Sequence, residues 1–240
     1  YGAMSTIAEN NPAALAKPGM QQLNNDDYVN VKALDQKKQP GSLDYYAVSM
    51  MSLIIMYASL TGLWGVRNDI NRKTGDRILC APVRPYELLT GKVIGSIIVT
   101  AVQALVVVLF SGLILKANWG DDPVILALLL LAHSIMAVSM GVGLAYLFKN
   151  DGSANGVLNT IIPFFVFLGG GYVPISEMGS TLVKLSSISP VKWVNSALFK
   201  VIYDGDYSHV PISIGINLGI ATIFILIAVL FSKKGAGNHA

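Results

Sequence analysis

Cysteine is almost missing from this chain: Cys80 is the single one in 240 residues, so no intrachain disulfide holds it together. Charge is scarce as well, at 13% against about 25% in ordinary soluble domains, while 53% of the residues are hydrophobic. Histidine occurs only as His133, His209 and His239, in three separate regions, and no HExxH, CxxC or GxSxG pattern is present. The convergent side chains that metal-assisted or nucleophilic catalysis requires are therefore not offered, and an enzyme is not expected. A Walker A loop also fails. Gly91-Lys92 is followed by Val93 instead of Ser or Thr, and Tyr86 stands where the first glycine belongs. The formal net charge of +3 is too small and too unevenly placed to point to a nucleic-acid partner. There is no initiator methionine, basic n-region or signal-like apolar stretch at Tyr1, and the chain reads as the C-terminal part of something longer.

What is present is apolar sequence gathered into blocks of roughly 20 residues, the length that crosses about 30 Å of hydrocarbon as a helix. Five spans are expected, at about 45–64, 93–115, 123–148, 156–175 and 211–231, each bounded by Lys, Arg, Asp or Asn and none containing Asp, Glu, Lys or Arg. Residues 1–43 are polar and broken by Pro12, Pro18 and Pro40, so they belong in water. Residues 44–234 form the membrane domain, and 235–240 a tail. Orientation follows from Lys and Arg near the span ends. The loop Gly65 to Lys92, the loop at Lys149 and the tail hold 9 of the 17 basic residues in about 44 positions, against 8 in about 85 on the other side. The expected arrangement is a multi-pass protein of the cell membrane with its N-terminal segment outside and its C-terminus in the cytoplasm.

Within the spans His133 is the one side chain able to titrate near neutrality, and it is a candidate for the substrate path together with Gln103 and Asn159. For these residues, and for Asn217, hydrogen bonding to a neighbouring helix is the commoner fate. The pairs Ser139-x-x-x-Gly143 and Gly215-x-x-x-Gly219 permit close helix approach. Between the fourth and fifth spans Val191, Val194, Leu198 and Val201 or Ile202 recur at helical spacing, with Lys192, Asn195, Ser196 and Lys200 assigned elsewhere on the helix. This predicts an amphipathic or re-entrant helix opened by Pro190, after a stop at Gly169–Gly171 and Pro174.

The 28-residue loop Gly65 to Lys92 interleaves Asp69, Arg72, Lys73, Asp76 and Arg77 with Ile70, Ile78 and Leu79, which favours a helix that contacts a protein. A second helix is expected to start at Pro85-Tyr86-Glu87-Leu88-Leu89 and to run into the next span.

The order Arg67-Asn68-Asp69, Thr74-Gly75-Asp76-Arg77, Ala81-Pro82-Val83, Glu87-Leu88-Leu89 and Gly91-Lys92 resembles the first cytoplasmic loop of type 2 permeases of ABC exporters. Gly170-Gly171-Tyr172-Val173-Pro174, with Ser189-Pro190 downstream, is similar to the motif flanking that family's outer re-entrant segment. The resemblance implies an all-α permease of six spans, five of them in this chain, with a cytoplasmic coupling helix built around Arg67, Asp69, Arg72, Asp76, Arg77, Pro82 and Glu87. It implies a second permease copy and cytoplasmic ABC ATPase subunits as partners, ATP being held by the ATPases and no cofactor by this chain. The competing reading is a membrane docking or assembly protein that transports nothing and whose cytoplasmic loop binds another partner.

Overall fold

A computed structural model describes residues 40–71, 85–148 and 150–236. Every element among them is helical. Helix α1 spans Ser42–Asn71, α2 Pro85–Leu113, α3 Pro123–Leu147, α4 Asp151–Leu168, α5 Ser180–Ser186, α6 Pro190–Phe199 and α7 Val210–Ala236. Four of them are long and apolar enough to cross a membrane: α1, α2, α3 and α7. These fall on four of the five expected spans.

The helices outrun the apolar blocks where polar sequence still favours helix. Helix α1 begins at Ser42, with Asp44 in its first turn where a negative charge suits the helix dipole, and runs seven residues past Trp64. Pro85 opens α2 eight residues before the expected span, as its fixed φ and missing N–H allow at a helix start. Helix α3 keeps the expected start because Pro123 occupies its first turn.

The expected fourth span, 156–175, is redrawn as α4. The Asn150 side chain accepts the Gly152 N–H at 2.9 Å and caps the helix five residues earlier than expected. At the other end Gly170 takes φ +76°, and the Gly171 N–H returns to the Val166 carbonyl at 2.7 Å, closing the helix at Leu168. Eighteen residues remain, the first half of them rich in Gly, Asn and Ser.

Helix α3 lies at the centre, packed chiefly on α1 and α7 and also touching α2, α4 and α6. Its approach to α1 is set by glycine. A Cβ at Gly141 would overlap the Ser59 carbonyl oxygen, and one at Gly62 would sit 2.5 Å from the Val138 carbonyl oxygen, so the two backbones meet with no side chain between them. Gly143 of the expected Ser139/Gly143 pair makes room for both the ring and the carbonyl of Phe224 on α7, 2.8 and 2.9 Å from where a Cβ would stand. Gly215 and Gly219 meet nothing within 4 Å of where a Cβ would stand, and that pair packs no helix within the described residues.

The segment between α4 and α7 folds over one end of the bundle. After a 3-10 turn at Ile175–Glu177 and α5, the predicted amphipathic helix appears as α6 with Pro190 in its first turn, and it continues as a π-helical turn over Lys200–Asp204. Val191, Val194 and Leu198 are buried, as their spacing requires. Asn195 is buried with them, on the face expected to be purely apolar.

Candidate functional site

Polar side chains inside an apolar bundle need partners, because no water reaches them there. His133, at the middle of α3, is fully buried, and its Nδ1 lies 3.0 Å from Asn217 Oδ1 on α7. Asn217 is held in turn by donating to the Ser213 carbonyl at 2.8 Å. On the opposite flank Ser52 of α1 donates to Asn195 Oδ1 at 2.5 Å, and Asn195 Nδ2 donates to the Gly169 carbonyl at 3.2 Å. Ser189 donates to the Phe165 carbonyl at 2.6 Å, and the Tyr45 hydroxyl to the Gly170 carbonyl. Thus α1 and α6 together supply the donors that the broken end of α4 needs. Tyr45 also stacks on Phe199, with centroids 5.2 Å apart.

The three candidates for a substrate path are not gathered in one place. His133 is buried in the contact with α7, Gln103 is exposed on α2, and Asn159 is exposed on α4 with its amide donating to Asn155 Oδ1 at 2.9 Å. Asn159 does have company. Gly152, Ser153, Gly156 and Thr160 share its exposure, while Ala154, Leu158, Ile162 and Val166 are buried on the other face. This polar stripe at a spacing of 3, 4 and 7 was legible in the sequence as a 3.6-residue period of small and polar residues.

Of the residues expected to form a protein-contacting loop, Arg72, Asp76, Arg77 and Pro82, and the side chain of Asp69, lie outside the described residues. Glu87 is exposed in the first turn of α2. Arg67 points inward. It is 5% exposed, donates from Nη2 to the Phe148 carbonyl, and places Nε 3.2 Å from the Asp151 carboxylate. The guanidinium joins the end of α1 to the end of α3 and the start of α4. Nothing in the local sequence signals this pair, since its members are 84 positions apart in the numbering.

At the opposite end Asp44 accepts the Asn118 N–H at 2.9 Å, and Asp122, just before α3, accepts from Tyr207, whose hydroxyl pKa that carboxylate raises. The Ser208 N–H and hydroxyl, with Lys200, hold the Asp206 carboxyl down at about 2. Among the described residues no cluster of His, Cys, Asp and Glu is arranged to hold a metal ion.

The family model for ABC-2 family transporter protein matches residues 1–231. Comparison with curated proteins and with solved structures gave no match. With nearly the whole length matched and four membrane-length helices present, the chain belongs to the ABC-2 transporter family and is a multi-pass transmembrane permease.

Proposed function

We propose that this chain is the permease subunit of an ATP-driven exporter, moving a substrate out of the cytoplasm while separate ABC ATPase subunits bind and hydrolyse ATP. The observation that carries the proposal, given the family, is the uncovered polar stripe of α4. Thr160 and Asn159 already donate within the helix, to the Gly156 carbonyl and to Asn155, each at 2.9 Å, so it is the gathering of small and polar groups on one exposed face that favours protein or a hydrated path over lipid there. A second copy of the permease set against α4 supplies both, and α4 is then the remaining span, fourth in chain order, short and polar in its first half because that half never faces lipid.

The end of the bundle holding Arg67 and Asp151 is the cytoplasmic one, because the loop 65–92, Lys149 and the tail carry the excess of Lys and Arg. The loop that follows α1 receives the ATPase. Force applied there reaches α4 by a short route, since Arg67 on α1 is paired with Asp151 on α4 at 3.2 Å. Rocking of the two copies opens the outward path between their α4 stripes.

Two measurements test this. In a Cys80→Ser background, Gly156→Cys is expected to form a disulfide-linked dimer on oxidation, and Leu230→Cys on the far face of α7 is not. Asp69→Lys and Arg77→Glu are expected to lower permease-stimulated ATP hydrolysis and co-purification of the ATPase without affecting insertion. A monomeric Gly156→Cys protein that retains no ATPase would leave the docking reading in its place.

A further inference from the structure

Pro163 stands inside α4. It has no N–H to give, so the carbonyl of Asn159, one turn earlier, lacks the donor that a helix normally supplies. Pro163 follows Asn159 by four residues and Gly156 by seven, which puts the freed carbonyl on the exposed side of α4. The side chains beside it have already spent their donors. Asn159 Nδ2 donates to the Asn155 carbonyl and to Asn155 Oδ1, each at 2.9 Å, and the Thr160 hydroxyl donates to the Gly156 carbonyl at 2.9 Å. What remains on offer at this level is oxygen: the Asn159 carbonyl, Asn159 Oδ1 and the lone pairs of Thr160. The Asn155 amide keeps its own N–H groups, but it is half-buried and one turn nearer Asp151.

Beyond the oxygens the same face turns aromatic. Phe164 and Phe167 are exposed, about 6 and 10 Å further along the axis than Thr160 at 1.5 Å per residue. Charge is one-sided as well. From Asp151 to Glu177 these two carboxylates are the only charged side chains, so an anion finds no cation on this face. Lipid hydrocarbon offers the oxygens nothing. The α4 of a second copy, related by a two-fold axis, brings the same oxygens, and the donor must then come from between the two stripes.

Taking the α4 stripe as the export path, on which this inference rests, we propose that its substrate is a protonated organic amine with an aromatic or apolar body. The ammonium N–H groups donate to the oxygens at Asn159 and Thr160, and the body lies along Phe164 and Phe167, whose ring faces attract the cation. A neutral analogue keeps the rings but makes weaker hydrogen bonds. A carboxylate meets only acceptors.

The test is a fluorescence titration of the full chain in phosphatidylcholine nanodiscs, with empty nanodiscs subtracted. Three probes share one fluorophore: dansylcadaverine, a primary amine; its N-acetyl derivative, which has lost the charge; and dansyl-6-aminohexanoate, which is an anion. Saturable binding is expected for the amine, about tenfold weaker binding for the acetylated probe, and none for the anion. Pro163→Ala returns an N–H to the Asn159 carbonyl and should weaken amine binding about tenfold while thermal stability stays at or above wild type. Thr160→Val and Phe164→Leu should weaken it also. Thr222→Val removes a hydroxyl that is likewise exposed and bonded within its own helix, on α7, and should leave binding unchanged. Equal binding of the amine and its acetylated form, or amine binding indifferent to Pro163→Ala, would overturn the proposal. The Gly156→Cys crosslink reports the path separately: a linked dimer that binds no amine would overturn the amine and leave the α4 path standing, whereas a monomer that binds none would overturn both.

Discussion

Helices α2 and α3 are both apolar enough to span a membrane, and α2 is the more hydrophobic, with a mean hydropathy of 2.6 against 2.2. Yet 67% of the α3 window is buried inside the chain and only 17% of the α2 window. In a soluble protein the ranking would be the reverse. In a bilayer, lipid is as apolar as leucine, so hydrophobicity does not draw a helix inward; close packing and hydrogen bonds do. The central helix is the one carrying His133, Ser134, Ser139, Gly141 and Gly143, and the peripheral one carries Ile94, Ile98, Val102, Leu105 and Leu109 on an exposed face.

The strongest way to break this comparison is to put bulk where the backbones touch. Gly141→Leu forces α1 and α3 apart at Ser59, because the obstruction is a carbonyl oxygen and cannot rotate away. The expected cost exceeds the about 1–3 kcal/mol typical of overpacking, and little monodisperse protein should survive detergent extraction. Gly95→Leu on α2, where nothing lies within 4 Å, should extract at the wild-type level. Equal yields for the two would mean that α3 is not the packing centre.

Next in size is the pair at the end of α1. Removing one partner of a buried ion pair costs about 3–5 kcal/mol when the other is left uncompensated, and the two partners here are unequally buried. Arg67 is nearly enclosed, whereas the Asp151 side chain is 31% exposed and can turn to water. Asp151→Ala, which takes the carboxylate away from the buried guanidinium while its bond to the Phe148 carbonyl stays, should therefore destabilise more than Arg67→Ala, by about 1–3 kcal/mol after allowance for that exposure. The double variant should recover part of the loss. A larger loss for Arg67→Ala in thermal or denaturant unfolding would show that packing of its stem, and not its charge, matters here.

A smaller effect is expected at His133. Interhelical hydrogen bonds in membranes average about 0.6 kcal/mol and reach about 1.7, so Asn217→Ala should lower stability by about 1 kcal/mol. His133→Gln, which keeps a donor and an acceptor, should lose less. Gln103→Ala, at an exposed position of α2, should be silent, and a cost there equal to that of Asn217→Ala would erase the distinction between the two helices.

These cases also show what was legible in the sequence. Four span positions, the Pro85 and Pro190 helix starts and the glycine stop after α4 follow from composition and local backbone preferences, which act within a few residues. Asn195 was assigned to the polar side of α6 because amphipathicity treats every polar residue as outward. It turns inward because the broken end of α4 leaves the Gly169 carbonyl in need of a donor. Arg67 likewise reads as a loop charge until Asp151 and Phe148 are brought beside it in space. Pairings between distant elements carry no periodic signal, and the candidate site consists largely of them.

The least effect is expected where a polar group has water as an alternative. Asp206, in the connection before α7, is bonded to the Ser208 N–H and hydroxyl and to Lys200 at 3.2 Å, and its pKa is lowered to about 2. The folded value lies below the unfolded one of about 3.9, so the contribution to stability is present above that unfolded value and is lost as pH falls through about 2. Thermal unfolding between pH 6 and pH 2 should show wild type slightly ahead of Asp206→Asn at the upper end, with the gap closing as acid protonates the carboxyl. A gap that stays constant with pH would mean that the side chain acts as a neutral turn former and not as an anion. Because solvent can replace each of its partners, this shift should stay below that of Asn217→Ala, although Asp206 makes more hydrogen bonds. The number of bonds does not set their worth in this molecule; the absence of water around α3 does.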